Sequence, residues 1–325
     1  MIITRTPLRI SFAGGGTDLP SYYRQYGGGA VTSAAIDKFV HVLVNDKFDR
    51  SIRVAYSRTE NVETLEGLQH ELVREAMRIT GVTHGLEVHT IADIPGEGTG
   101  LGSSSTLTVG LLNALYAHRG TLKDPAELAR EACQIEIDIL HGTVGKQDQY
   151  IAAFGGVQYF EFRADETVRS TPIPLAPAEL DALSSHLSLY YTGITRSASG
   201  ILKSQDARTG DNREALGRMR ELAAETRDAL VRHDWAGLGR LLDDGWRLKR
   251  SLSNAISNPQ IDEIYGKAKA AGAYGGKITG AGGGGFLLVA HPPERSTQIA
   301  SALSPMTRLP VRIHPEGSRI LFVGR

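Results

Sequence analysis

The residues best suited to chemistry lie in one glycine- and serine-rich run, Pro95-Gly96-Glu97-Gly98-Thr99-Gly100-Leu101-Gly102-Ser103-Ser104-Ser105-Thr106. A strand-like segment, Leu86 to Ile91, leads into it. A helical pattern from Ser103 to His118, bearing Leu107, Leu111, Leu112 and Leu115, leads out. Glycines let successive backbone N–H groups turn toward one point, and a helix start adds about half a positive charge. The chemistry of such a run is the capture of phosphate or a similar anion. Ser103, Ser104 and Ser105 add hydroxyls able to bond phosphate oxygens or ligate magnesium. The run lacks the Gly-Lys-Ser/Thr ending of a P-loop and the G-x-G-x-x-G spacing of dinucleotide folds. A serine-capped helix after a turn is the plainer alternative.

Two carboxylates stand out further along. Asp148 lies in the polar run Gly145-Lys146-Gln147-Asp148-Gln149-Tyr150, just before the strand-like Gly156 to Phe162; a surface loop acid is the alternative. Glu136 lies twelve positions earlier, at the edge of the apolar stripe Leu128, Ala132, Ile135 and Ile139. There it either points into a cleft, as a metal ligand beside Ser104 would, or stays on the helix surface, with Asp138 as a competitor.

Elements able to position these groups are legible in outline. Phe39 to Asn45 and Ile52 to Tyr56 read as strands, and Leu65 to Ile79 as a helix. A helix over Pro125 to His141 has Asp124 as its N-cap and Pro125 in its first turn. Arg163 to Glu179, polar and proline-bearing, reads as a connection. Beyond it come a strand at Leu187 to Thr192, helices at Asn212 to His233 and Trp235 to Arg250, and a helix opened by Asn258-Pro259. Strands at Lys277 to Thr279, Phe286 to Ala290 and Arg319 to Val323 complete the second half. The division expected is 1–165 and 180–325, the second part α+β.

At 325 residues the chain exceeds the ~250 at which single cores stop growing. With 41% hydrophobic and 22% charged residues it has the balance of a folded soluble protein. Lys plus Arg equals Asp plus Glu at 36 each, so no global charge draws it to nucleic acid or a membrane, and any anion must be bound locally. One cysteine, Cys133, fits a reducing compartment, and no apolar run approaches the ~20 residues of a membrane span. The expectation is a cytoplasmic protein. Its oligomeric state is open.

The phosphate run resembles the ATP-binding motif of the GHMP kinases, and two further motifs of that family follow the same order. Arg5-Thr6-Pro7-Leu8-Arg9-Ile10-Ser11-Phe12-Ala13-Gly14-Gly15-Gly16-Thr17-Asp18 resembles the substrate-side motif, and Lys277-Ile278-Thr279-Gly280-Ala281-Gly282-Gly283-Gly284-Gly285 the third. The resemblance implies an α+β fold in two parts, an N-terminal domain like ribosomal protein S5 and a ferredoxin-like C-terminal domain, with the site between them. It implies ATP and Mg2+, bound through Gly98, Gly100, Leu101, Gly102, Ser103, Ser104, Ser105 and Thr106, with Ser104 and Glu136 on the metal. Asp148 matches the family's base and Arg9 its catalytic cation. Gly15, Gly16, Thr17, Asp18, Gly282 and Gly283 fall on the substrate side. Galactokinases carry Glu-His where this chain has Gly15-Gly16, which argues against galactose. Asp18 is either a sugar-hydroxyl acceptor or an N-cap.

Arg9 to Asp18, Gly145 to Gly156, Tyr191 to Arg196 and Trp246 to Asn254 further resemble bacterial D-glycero-D-manno-heptose 7-phosphate kinases, and fucokinases share part of the set. Such a substrate is a small sugar phosphate whose distal phosphate needs cations. Lys146 and Arg196 are the candidates, Arg196 favoured for its planar fork. Lys249 and Arg250 are candidates too, with a solvated helix end as the favoured reading of both. A kinase of a plain sugar, a mevalonate-like alcohol, or a non-catalytic sensor of the same fold are the rivals.

Overall fold

The computed structural model describes residues 1–94, 98–195 and 198–324. Pro95 to Glu97 of the phosphate run and Arg196 lie outside the described residues. Twelve strands form two sheets among those described. They are β1 (Ile2–Ala13), β2 (Gly29–Asp46), β3 (Ile52–Ala55), β4 (Thr59–Val62), β5 (Leu86–Ala92), β6 (Val157–Phe162), β7 (Val168–Pro172), β8 (Leu187–Tyr191), β9 (Gly275–Ile278), β10 (Phe286–Ala290), β11 (Arg308–Leu309) and β12 (Arg319–Val323).

The larger sheet runs β12-β1-β2-β5-β3-β4, with β6 and then β7 joined to the other end of β2. At 18 residues β2 is long enough to pair with β6 through Gly29–Ala34 and with β5 through Val40–Asp46, far beyond the seven-residue strand expected. The β1–β2 register shifts between Pro7 and Arg9. Such an irregularity re-aims the side chain beside it, and here that side chain is Arg9. The smaller sheet is antiparallel in the order β11-β8-β10-β9. With its intervening helices it is the βαββαβ arrangement of a ferredoxin-like unit.

Four further elements differ from expectation. The strand Arg319–Val323, expected with the second half, pairs with β1, Ile2 opposite Val323, so both chain ends meet in the first sheet. It covers the backbone edge that β1 would otherwise present. The connection after Arg163 contains β7, which tolerates Pro172 as the outer strand of a hairpin with β6. The helix from Leu65 breaks into a short turn at Leu65–Gly67 and a helix at Glu71–Thr80. Glu60 Oε2 takes the Gln69 N–H at 2.6 Å, which removes that donor from the helical ladder. The fourth departure is the helix carrying Glu136. It is α-helical over Pro125–Cys133, with Asp124 as its N-cap as expected and Glu127 capping in return, and widens into i→i+5 turns over Gln134–Ile139.

Buried side chains of β1 (Leu8, Ile10, Phe12), of β8 and β10 (Leu189, Leu288) and of the helices Arg213–Val231 and Trp235–Leu252 (Leu222, Leu242) belong to one continuous cluster. The two sheets therefore share a core, and the glycine runs meet where that core reaches the surface.

Candidate active site

Loops from both halves converge on one cleft. On one side lies the phosphate loop. Gly100 and Gly102 have φ of +72° and +81°, a region that other residues enter only with strain. A β-carbon on Gly100 would stand 2.5 Å from the Thr279 carbonyl oxygen, and one on Gly102 would stand 3.2 Å from both Arg9 Cγ and Asp148 Oδ2. The loop thus rests directly on the third glycine run and on a charged pair.

No side chain caps the helix Ser103–His118 that follows. Ser103 Oγ is buried without a partner, Ser104 is exposed in the cleft, and Ser105 donates to Glu136 Oε2 at 2.9 Å. The serine-cap alternative therefore fails, and the first N–H groups of the helix are left for a ligand. Most faces of this helix are buried, Thr106, Thr108, Val109 and Asn113 as well as Leu111, Leu112 and Leu115, which holds its N-terminus rigidly. Leu101 and Thr106, expected as nucleotide contacts, face inward instead. The Leu101 carbonyl accepts from the Arg9 N–H at 3.1 Å and Thr106 Oγ1 donates to the Pro7 carbonyl at 3.2 Å, so both tie the loop to β1.

Arg9 and Asp148, 139 positions apart, form a two-pronged ion pair: Nε to Oδ1 at 2.6 Å and Nη2 to Oδ2 at 2.5 Å. The third prong, Nη1, donates to the Gly100 carbonyl at 2.6 Å. Arg9 is only 4% exposed, while Asp148, in the first turn of the helix Gln147–Phe154, stays open to the cleft. Asp18 faces them. Its Oδ1 accepts from the Gly16 N–H at 2.8 Å and its Oδ2 from the Gln147 N–H at 3.3 Å. It is not a cap, since Leu19 holds that position for the short helix Pro20–Tyr23. Burial raises the Asp18 pKa, the Gly16 N–H opposes the rise, and the Asp148 charge adds to it.

Glu136 reaches the cleft because the widened turns rotate it off the helix surface. Its Oε1 is buried without a partner, and burial pushes its carboxyl up to about 7. The helix-surface alternative is thereby set aside. Of the remaining substrate-side residues, Gly16 and Gly282 line the cleft and Gly15, Thr17 and Gly283 do not. Thr17 Oγ1 donates to the Gly14 and Ala30 carbonyls, and the Gly283 N–H donates to the Ile256 carbonyl; both shape their loops. A β-carbon on Gly16 would stand 2.3 Å from Gln205 Nε2, so the buried Gln205 amide takes the room a larger residue would need.

Lys146 is a correction. Its ammonium lies 2.5 Å from Glu166 Oε2 and 4.9 Å from the Tyr23 ring centre, turned away from the cleft. Glu166, also held by Tyr23 and Arg24, provides a fixed counter-ion that the sequence does not reveal. Lys249 is the converse. Expected in solvent, it is 4% exposed, lines the cleft and donates to the Gly280 carbonyl at 2.8 Å, whereas Arg250 does face outward and pairs with Asp262. Its signal was present: Leu238, Leu242, Trp246 and Lys249 follow helical spacing along the buried face.

The N-terminal model of the GHMP kinases matches residues 66–156 and their C-terminal model residues 226–305. A D-glycero-alpha-D-manno-heptose 7-phosphate kinase of Campylobacter jejuni is 33% identical over 319 residues, 93% of each chain. The chain belongs to the GHMP kinase family. An L-fucokinase/L-fucose-1-P guanylyltransferase of Bacteroides fragilis is 30% identical over 92% of this kinase and 36% of that protein. A solved D-glycero-D-manno-heptose 1-phosphate kinase of Bacteroides thetaiotaomicron superposes over the full length of both chains with a TM-score of 0.83 and 26% identity. The two-part α+β architecture is that of the family, and this GHMP kinase is an ATP-dependent phosphotransferase acting on a sugar hydroxyl. Among the described residues no helix is long and apolar enough to cross a membrane.

Proposed function

We propose that this kinase transfers the γ-phosphoryl group of ATP to the anomeric hydroxyl of D-glycero-D-manno-heptose 7-phosphate. The product is the 1,7-bisphosphate, for nucleotide-activated heptose and surface polysaccharide. The catalytic part of this reading is carried by the Arg9–Asp148 pair, seated between the phosphate loop and Asp18. Phosphoryl transfer asks the protein for in-line positioning, neutral charge around the moving group and a place for the hydroxyl proton. Asp148 takes the proton, Arg9 holds both its oxygens in place, and Asp18 accepts a hydrogen bond from a neighbouring sugar hydroxyl. The choice of heptose phosphate is supported by the identity with the Campylobacter enzyme over 93% of both chains.

The orphaned Glu136 Oε1 and the cleft-facing Ser104 fit a magnesium ion, which takes one or two carboxylates and otherwise keeps water and substrate phosphates. Bound there, magnesium neutralises phosphate charge. Ser104→Ala and Glu136→Gln are expected to raise the magnesium concentration for half-maximal rate by roughly tenfold or more, the usual scale for disturbed ligation. A titration of rate against magnesium at fixed ATP checks this, and an unchanged midpoint would move the ligand to Ser103 or Ser105.

One observation favours a plain sugar: Lys146, a candidate for the distal phosphate, is already tied to Glu166. ADP release with magnesium-ATP across the heptose 7-phosphate, mannose, fucose, galactose and mevalonate separates the readings. Turnover on the heptose phosphate alone supports the proposal. Turnover on a plain sugar or mevalonate, or none on the heptose phosphate, rejects it.

A further inference from the structure

Two lysines are buried at the inner end of the cleft, Lys249 on the helix Trp235–Leu252 and Lys277 on β9, each 4% exposed. Among the described residues neither has a carboxylate oxygen within 4 Å of its ammonium. Lys249 donates to the Gly280 carbonyl at 2.8 Å, and Lys277 reaches only the Phe12 carbonyl, at 3.4 Å. An ammonium removed from water and left without a counter-ion is costly, so a protein that keeps one beside a cleft implies an anion that arrives from outside. Lys249 lines the cleft and Lys277 lies behind it.

Placement decides which anion. Gly280, whose carbonyl holds Lys249, packs on Gly100, whose carbonyl holds Arg9; a β-carbon on Gly280 would stand 2.7 Å from Gly100 Cα. The two cations are thus anchored on touching backbone segments. The charged groups that act on Lys249 are Asp18, Arg9 and Asp148, and Lys249 in turn acts on Lys277 of β9. These are the groups around the reacting atoms. A cation that shares the field of Arg9 and Asp148 lies beside the group in transit, whereas a distal phosphate belongs at the far end of the acceptor.

We propose that Lys249 is a second catalytic cation, which together with Arg9 binds the phosphoryl group during transfer from ATP to the acceptor. The terminal phosphorus–oxygen bond of ATP breaks as the bond to the acceptor oxygen forms, ADP leaves with the bridging oxygen, and the acceptor proton goes to Asp148. Lys249 gives and takes no proton; it offers charge and N–H donors to the equatorial oxygens, whose charge is spread most in the transition state. The role concerns the family's phosphotransfer and does not depend on which sugar is the acceptor.

Burial lowers Lys249 to about 8, opposed first by Asp18 and reinforced by Arg9. The charged form is needed, so kcat/KM for the acceptor falls as pH rises through that region in the free enzyme. Burial, and after it the charge of Lys249, lowers the Lys277 pKa well below the usual lysine value.

The test compares Lys249→Met and Lys249→Arg with the wild type on every acceptor that turns over, and on slow ADP release to water. Lys249→Met is expected to lower kcat by ~10²-fold or more, the scale of a lost transition-state donor. The loss should be alike for phosphorylated and plain acceptors, with ADP affinity and Tm near wild type to exclude misfolding. Lys249→Arg should restore part of kcat and remove the alkaline limb. A kcat within about threefold of wild type in Lys249→Met overturns the proposal. So does a loss confined to KM for sugar phosphates, which would make Lys249 a distal-phosphate residue, and so does an alkaline limb unchanged in Lys249→Arg. Failure of the heptose phosphate as a substrate would reject the heptose reading alone, because the comparison on plain acceptors and water still decides this one.

Discussion

Asp148→Asn should reduce turnover by ~10²-fold or more, the scale of a lost acid–base group, while ADP binding stays within a few-fold of wild type. Asparagine keeps the size of the side chain but cannot take the hydroxyl proton. It also presents an N–H where Asp148 Oδ2 now accepts from Arg9 Nη2 at 2.5 Å, so one prong of the ion pair becomes donor against donor. Arg9, 4% exposed, would then be left without its counter-charge, a situation that costs about 3–5 kcal/mol for a well-buried pair and less here, where Asp148 is open to the cleft. The variant should therefore also melt earlier. The double variant Arg9→Met/Asp148→Asn separates the effects: it should regain stability relative to Asp148→Asn and stay inactive. Turnover near wild type in Asp148→Asn would remove Asp148 from the chemistry, whatever the melting curve.

Gly100→Ala should raise KM for ATP by roughly tenfold to a hundredfold and lower Tm. A non-glycine residue at φ +72° carries about 1 kcal/mol or more of backbone strain. The added methyl must also displace the Thr279 carbonyl, whose oxygen would be 2.5 Å away and whose carbon 2.9 Å. The phosphate loop and the third glycine run would have to part, and with them the Arg9 contact to the Gly100 carbonyl. At 1.4 kcal/mol per factor of ten, strain alone accounts for about the lower bound and displacement for the rest. Gly120→Ala is the matched control. It has nearly the same φ, +74°, with nothing within 4 Å of the new carbon, so it carries the strain without the displacement. Equal effects of the two on KM would mean that contact between the glycine runs does not shape the nucleotide site.

Much of this kinase is legible along the chain because much of it is local. Glycines at 98, 100 and 102 followed by three serines make a loop and a helix start whatever surrounds them, and the helix bounds Ser103–His118 are those the pattern implies. Asp124, which accepts from the Glu127 N–H, and Asn258, which accepts from the Ile261 N–H just past Pro259, mark helix starts by short-range hydrogen bonds that these residue types favour. The order of the three glycine motifs carried the family, and with it the two-part fold.

The direction and charge of the side chains at the centre were settled otherwise. Glu136 enters the cleft because its helix widens by one residue per turn, a departure that a 3.6-residue periodicity cannot express. Lys146 and Lys249 both depart from the roles expected of them. Glu166, twenty positions from Lys146, supplies a partner that turns it away, and burial of the helix face bearing Trp246 carries Lys249 inward. Arg9 meets Asp148 across 139 residues because a register shift in β1 and the start of the helix Gln147–Phe154 arrive at the same point beneath Gly102. Residue types and close spacing set backbone turns and helix ends, whose energies come from neighbours in the chain. Which charge lies buried, and against what, is a matter of desolvation and pairing between distant segments, and those exist only once the two sheets have closed on their common core.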